Sequence, residues 1–292
     1  MAVMQNTPAT APEFVLTLVC PDTRGIVHAV SGYLVERDCN ILDSTQHGDA
    51  LTGAFVMRIH FSARAGETAE ALRRGFVSIG ARFQMQFQVH DLAVRPRVLL
   101  LVSRQDHCLN DLLYRHRIGD LKMDVPAIVS NHRDAARLAA AHDIPFEYLP
   151  VTPESKARVE IRLLEIVQAE RIDCVVLARY MQILSPTLCA ALPGRIINIH
   201  HSFLPGFKGA RPYHQAYQRG VKLIGATAHY VTPDLDEGPI LEQDVARVDH
   251  SMDAADLEAV GRSIEQNVLA NAVRWQIEHR VLLVGSRTII FR

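Results

Sequence analysis

An amide, an imidazole and a carboxylate close apolar runs within the segment IINIHHSFLPGFKGARPYHQAYQRGVKLIGATAHYVTPDLDEGPIL, Ile196 to Leu241. Asn198 and His200 stand two apart at the end of RIINIH. In a strand such residues face the same way, so their polar groups can meet one substrate atom. Asp236 lies in LDEGP, after a further strand signal. An amide or imidazolium donates to a developing oxyanion, and a carboxylate orients an imidazole or takes a proton from water. Together they suit attack on a carbonyl carbon. A plainer account fits the same residues: Asn198 as a turn former, His200 as a hydrogen-bonded core histidine, and Asp236 as a turn residue before Gly238 and Pro239.

Placing such groups at strand tips requires a sheet, and the sequence supplies two. From residue 12 to 92, FVLTLVC reads as a strand, IVHAVSGYLVER as a helix, CNILDSTQHGD and GAFVMRIHF as paired strands, TAEALRRGFVSIGARF as a helix and QMQFQVHDL as a strand. The order βαββαβ predicts a ferredoxin-like unit, an antiparallel sheet with helices on one face. AVRPRV reads as a linker. From 97 to 292, RVLLLVS opens an alternation of strands and helices, and its unbroken apolar run fits a parallel strand buried on both faces. The expectation is an α/β chain whose second, Rossmann-like domain has a mostly parallel sheet, with ligands bound at the carboxyl ends of its strands.

Composition narrows the partners. A formal charge of -1 over 292 residues provides no basic footprint for nucleic acid or an anionic membrane surface. The start MAVMQNTPATAPEF has neither a basic opening nor a long apolar core, so a cytoplasmic protein is expected. Five scattered cysteines, none in a Cys-x-x-Cys pair, argue against a disulfide framework or structural zinc. His201 directly follows His200, and adjacent strand residues are expected on opposite faces, which disfavours a paired metal site.

NIHHSFLPGFKGARPYHQA, with GATAHYV and LDEGPI, resembles the catalytic core of the folate-dependent formyltransferase family. LVSRQDHCLNDLL, VLARYMQIL, the C-terminal RTII and the preceding βαββαβ unit extend the resemblance over nearly the whole chain, toward members that pass the formyl group to water. The resemblance implies that Asn198, His200 and Asp236 are catalytic. It also implies that 10-formyltetrahydrofolate is the substrate, with no metal or redox cofactor required, and that the formate released feeds purine synthesis and balances the folate pool. Backbone of Met181, Gln182, Ile183 and Leu184, and of the loop from Val231 through Asp234 to Asp236, is implied to line the folate slot. The resemblance implies Arg at position 182, and Gln182 departs from it. Taken alone, Met181, Ile183 and Leu184 equally fit core packing at a helix start. His229 resembles a family histidine near the site, and a packed strand histidine fits as well.

Hydrolysis is favoured over transfer by the loop Ser103 to Cys108, which lacks the glycines that would bring backbone amides against a phosphate-bearing acceptor. Lys208, Arg211 and Tyr213 are placed in a loop bordering the pocket, where either cation could meet the folate glutamate or be solvated. The first domain resembles the ACT family of small amino-acid-binding modules. By that resemblance, Asp22 and Gly25 mark an effector site at the strand-to-helix turn, and the chain is a homo-oligomer; it fits equally that Gly25 only permits the turn and the domain serves only to pair chains. A formyltransferase with an amine acceptor and a non-catalytic amino-acid sensor are the alternatives; dependence on an acceptor separates the first, and the intact Asn198, His200 and Asp236 set argues against the second.

Overall fold

The computed structural model describes residues 11–206 and 212–292. The chain forms two compact units, one of residues up to Val94 with 279–284 and 289–292, the other of Arg95–Glu278 with 285–288.

In the first unit β1 (Glu13–Pro21), α1 (Ile26–Glu36), β2 (Asn40–Asp49), β3 (Ala54–Ser62), α2 (Ala69–Arg82) and β4 (Gln86–Asp91) follow one another. The sheet order is β2-β3-β1-β4 and every pairing is antiparallel. Alternation along β1 sends Phe14, Leu16, Leu18 and Cys20 into one core with Ile26, Val30 and Leu34 of α1 and Leu72 and Phe76 of α2. Gly25, at φ 92, sits in the left-handed region before α1, a conformation that glycine adopts without steric cost. Thr68 accepts the Ala71 N–H and caps α2.

The second unit contains β5 (Val98–Val102), α3 (His107–Arg117), β6 (Ile128–Ser130), α4 (Ala136–Ala141), β7 (Phe146–Tyr148), α5 (Lys156–Ala169), β8 (Cys174–Leu177), α6 (Pro186–Ala191), β9 (Ile196–His200), α7 (Pro212–Arg219), β10 (Leu223–Tyr230), β11 (Ile240–Arg247) and α8 (Ala254–Ile277). Its sheet order is β11-β10-β9-β8-β5-β6-β7. Strands β5 to β9 pair in parallel, and β10 and β11 are antiparallel additions. The central VLLLV and CVVL runs are buried throughout, as strands covered on both faces must be. Chain direction across the sheet reverses between β5 and β8, and the residues after β5, β8 and β9 meet at their carboxyl ends. Asp253 and Asp256 form a capping box at the start of α8. No described helix is long and apolar enough to cross a membrane.

The expectation that the second domain runs to Arg292 is corrected at the C-terminus. The hairpin β12 (Val281–Val284) and β13 (Arg287–Ile290) contributes Leu282, Val284 and Phe291 to a core with Val56 of the first unit. The opposite face of β1 and β3, left bare by the two helices, is thus covered by the chain's last residues. Deleting residues 1–92 strips these apolar side chains of their partners. The shortened protein is therefore expected to aggregate or bind a hydrophobic dye, and deleting 279–292 as well should relieve this. Equal dye binding and light scattering by the two truncations would contradict the assignment.

Candidate active site

Antiparallel pairing of β9 and β10 sets Asn198 directly opposite His229 and His200 opposite Thr227. The Asn198 side chain reaches His229 Nε2 at 3.2 Å, and His229 Nδ1 lies 2.9 Å from the Tyr230 carbonyl oxygen. A carbonyl only accepts, so Nδ1 carries the proton and Nε2 is the acceptor. The amide must then present Nδ2 to His229, which leaves its second N–H for the pocket that Asn198 lines. Burial lowers the His229 pKa, keeping the ring neutral as this arrangement needs. A bulge at Ala228 and His229 in the β10–β11 pairing marks the same position.

Asp236 arrives from the loop between β10 and β11, with Oδ1 at 3.4 Å from His200 Nδ1 and 3.7 Å from His229 Nε2. The hydrogen bond from His200 holds the Asp236 carboxyl below its usual range, against the opposing effect of burial. Two features fix the loop. Asp236 itself is left-handed at φ 57, which aspartate tolerates better than most residues. At Gly238, a Cβ would stand 1.7 Å from the Tyr230 carbonyl oxygen, a collision with backbone that no rotamer relieves. Gly238→Ala is therefore expected to displace Asp236 and lower kcat/KM about 10²-fold, the scale of a 1 Å misplacement. Steady-state kinetics alongside circular dichroism checks this; an active, folded variant would count against it.

His201 corrects an expectation. The strand ends at His200, so the alternation of faces stops there, and both histidines line the same pocket with ring centroids 5.3 Å apart. Burial and the nearby Arg179 cation drop the His201 pKa to about 3.

The pocket around Asn198, His200 and Asp236 measures about 260 Å³ and is walled by Met181 to Leu184 and Val231 to Asp236, including Gln182 and Asp234. Core packing does not account for Met181 and Ile183, which are 56% and 61% exposed, whereas Leu184 is buried. Together with Leu235, 55% exposed, they make an apolar lip. Tyr213 lies within α7 and lines a second, adjoining pocket, while Lys208 and Arg211 fall outside the described residues. In the first unit, Asp22 and Gly25 occupy the turn between β1 and α1, and the Asp22 N–H donates to the Gly53 carbonyl.

Sequence reasoning missed a buried ionic cluster beside the pocket. Glu265 of α8, 1% exposed, receives hydrogen bonds from Tyr213 Oη at 2.6 Å and His107 Nε2 at 2.9 Å, and Arg179 Nε stands 3.5 Å away. Arg179 in turn donates to Gln105 Oε1 from Nε and Nη2. The available signal was a lone carboxylate on the apolar stripe of α8, one turn from Gly261 and Leu269. A Cβ at Gly261 would meet Tyr213 Oη at 2.1 Å, so glycine there admits the tyrosine. His107, Cys108 and Glu265 place ligand-type atoms within 4.8 Å of one another. Burial holds Cys108 as a thiol and the guanidinium already neutralises Glu265, so this set is a hydrogen-bonded cluster rather than a metal cage.

A fold of this kind, with these groups at the carboxyl edge of its sheet, has known counterparts. The formyl transferase family model matches residues 96–273, and the chain belongs to that family. Within it, the chain is one of the formyltetrahydrofolate deformylases: the protein of that name from Corynebacterium sp. (strain P-1) is 47% identical over 95% of this chain and 98% of its own length. The crystal structure of formyltetrahydrofolate deformylase from Burkholderia mallei ATCC 23344 superposes with a TM-score of 0.92 at 53% identity, covering 96% of this chain and all of that one. Glycinamide ribonucleotide transformylase 1 from Symbiobacterium toebii is similar over only 69% of this chain, with a TM-score of 0.65 and 29% identity.

Proposed function

We propose that this chain hydrolyses 10-formyltetrahydrofolate to tetrahydrofolate and formate. The observation that carries the proposal is the convergence of Asn198, His200 and Asp236 on one apolar-lipped pocket. In this reading the pterin lies between the Met181–Leu184 segment and the loop from Val231 to Asp236. Asp236 holds the attacking water and takes its proton. The second N–H of Asn198 and the His200 imidazolium stabilise the oxygen of the tetrahedral species, where one donor is worth about 3 kcal/mol. His200 then delivers a proton to N10 as the C–N bond breaks. His229 acts through Asn198, fixing which way the amide faces. The loop after β5 favours water over a phosphate-bearing acceptor, because Gln105 is engaged by Arg179 and Glu258 and no glycine exposes its backbone.

The decisive measurement is formate release from 10-formyltetrahydrofolate by purified protein without any amine. An absolute requirement for an amine acceptor would establish a transferase instead. We further infer a cytoplasmic enzyme that supplies formate for purine synthesis. In the first unit, β2 is an edge strand on which Ile41 and Leu42 are exposed, and such an edge favours a homo-oligomer. Asp22 and the helix start after Gly25 suit the charged ends of a small amino acid. A monomer by light scattering at micromolar concentration overturns the homo-oligomer. Rates unaltered by glycine, methionine or related amino acids overturn the amino-acid site.

A further inference from the structure

Seven described non-glycine residues have left-handed backbone, and five of them (Asp38, Gln84, Asp143, Arg171 and His279) directly follow the C-caps of helices, where that conformation is usual. The remaining two are Asp236 and Arg179, and both line the substrate pocket. Arg179, at φ 66, is pinned by its own backbone: its carbonyl accepts the Ser103 N–H at 3.1 Å and its N–H donates to Leu177 O at 3.0 Å. The side chain is only 8% exposed. Nε and Nη2 donate to Gln105, but Nη1 is buried without a hydrogen-bond partner among the described residues. A buried donor on a permanent cation is costly to leave unmet, and a guanidinium edge is shaped for a carboxylate.

Arg179 also stands where two cavities adjoin. It lines the 260 Å³ pocket and a second of about 710 Å³, and His201, Met181 and Gln182 line both as well. Arg104 and Arg262 line the larger cavity further along, with Glu258 tied to Arg262 at 3.4 Å and to Gln105, and Glu265 engaged by His107 and Tyr213. The cavity's acidic groups are thus already matched.

We propose that Arg179 is the binding site for the product carboxylate, and that formate leaves through the larger cavity while tetrahydrofolate still fills the smaller one. This rests on the hydrolytic reading given above. Hydrolysis forms one C–O bond and breaks the bond from the formyl carbon to N10; N10 gains a proton, and one further proton is released as the acid ionises to formate. Once the proton that Asp236 took from water has passed on to regenerate His200, the anion lies beside a carboxylate, which repels it, with the folate closing the apolar mouth. Arg179, with its Nη1 unmet, supplies a fixed cation where the two cavities share their lining. Formate should consequently bind together with tetrahydrofolate, not instead of it.

Carbon-13 formate, titrated into the protein with and without saturating tetrahydrofolate and followed by line broadening, tests this without turnover. Binding is expected in both states in the wild type, and steady-state inhibition by formate should be noncompetitive with 10-formyltetrahydrofolate. Arg179→Met should weaken formate roughly tenfold or more, as loss of a charge-assisted hydrogen bond implies, and weaken it more than it weakens tetrahydrofolate; Arg179→Lys should retain part of the formate binding. Displacement of formate by tetrahydrofolate, or undiminished formate binding in Arg179→Met, would overturn the proposal. If Arg179→Met does not fold, the wild-type displacement experiment decides alone. Failure of the hydrolytic reading is distinct, since it shows as no formate produced from 10-formyltetrahydrofolate.

Discussion

Asp236→Asn is expected to lower kcat by roughly 10²- to 10⁴-fold, the range for a lost general base, and to leave folate affinity little changed. The substitution keeps the size of the side chain and its place beside His200 and His229, but removes the charge that accepts the proton of water. Because the His200 hydrogen bond holds the carboxyl below its ordinary value of 3.8, the base stays ionised well into acid. The acid limb of kcat/KM assigned to Asp236 should therefore lie below that value, and His200→Gln should move the limb upward by removing the first of the groups that depress it. Fluorescence titration with tetrahydrofolate separates binding from turnover. Near-normal kcat in Asp236→Asn would remove the carboxylate from the chemistry.

For Asn198, His200 and Asp236, the strand period and the Gly-Pro turn made the placement legible, while their catalytic assignment came from the resemblance of the longer motif. Asn198 and His200 needed only the rule that alternate strand residues share a face, and the apolar runs of β5 and β8 announced a buried parallel sheet. What sequence could not supply was pairing between distant strands. Asn198 meets His229 because β10 runs antiparallel to β9 in one particular register, and nothing local to GATAHYV fixes that register. The C-terminal hairpin was missed because it is a separate two-stranded sheet, and nothing local to RTII shows that Leu282, Val284 and Phe291 pack against Val56. Left-handed backbone at Arg179 and Asp236 has no compositional mark either, since glycine is absent from both positions. His201 was misassigned because an alternation rule was carried one residue past the end of its strand.

Glu265→Ala should destabilise the second unit by about 3–5 kcal/mol, the usual consequence of removing one partner from a buried charged pair. Arg179 would then keep its charge at the same burial with Gln105 as its remaining partner, and Tyr213 and His107 would each lose an acceptor. Glu265→Gln, which preserves an acceptor oxygen but not the charge, should fall between. Burial alone would raise the Glu265 carboxyl; the His107 hydrogen bond, the Arg179 charge and the Tyr213 hydrogen bond outweigh it and lower the pKa from 4.5. A carboxyl depressed in the folded state contributes its full stability above the unfolded value and loses it as pH falls through the folded one. The gap between wild type and Glu265→Ala should therefore be widest near neutrality and narrow in acid. The chain's single tryptophan, Trp275, lies on the same helix as Glu265 and reports the unfolding of this unit in urea without interference from the first. An unshifted midpoint at pH 7 in both variants would show that the cluster contributes nothing net to the fold, and that Glu265 is retained for the site it borders.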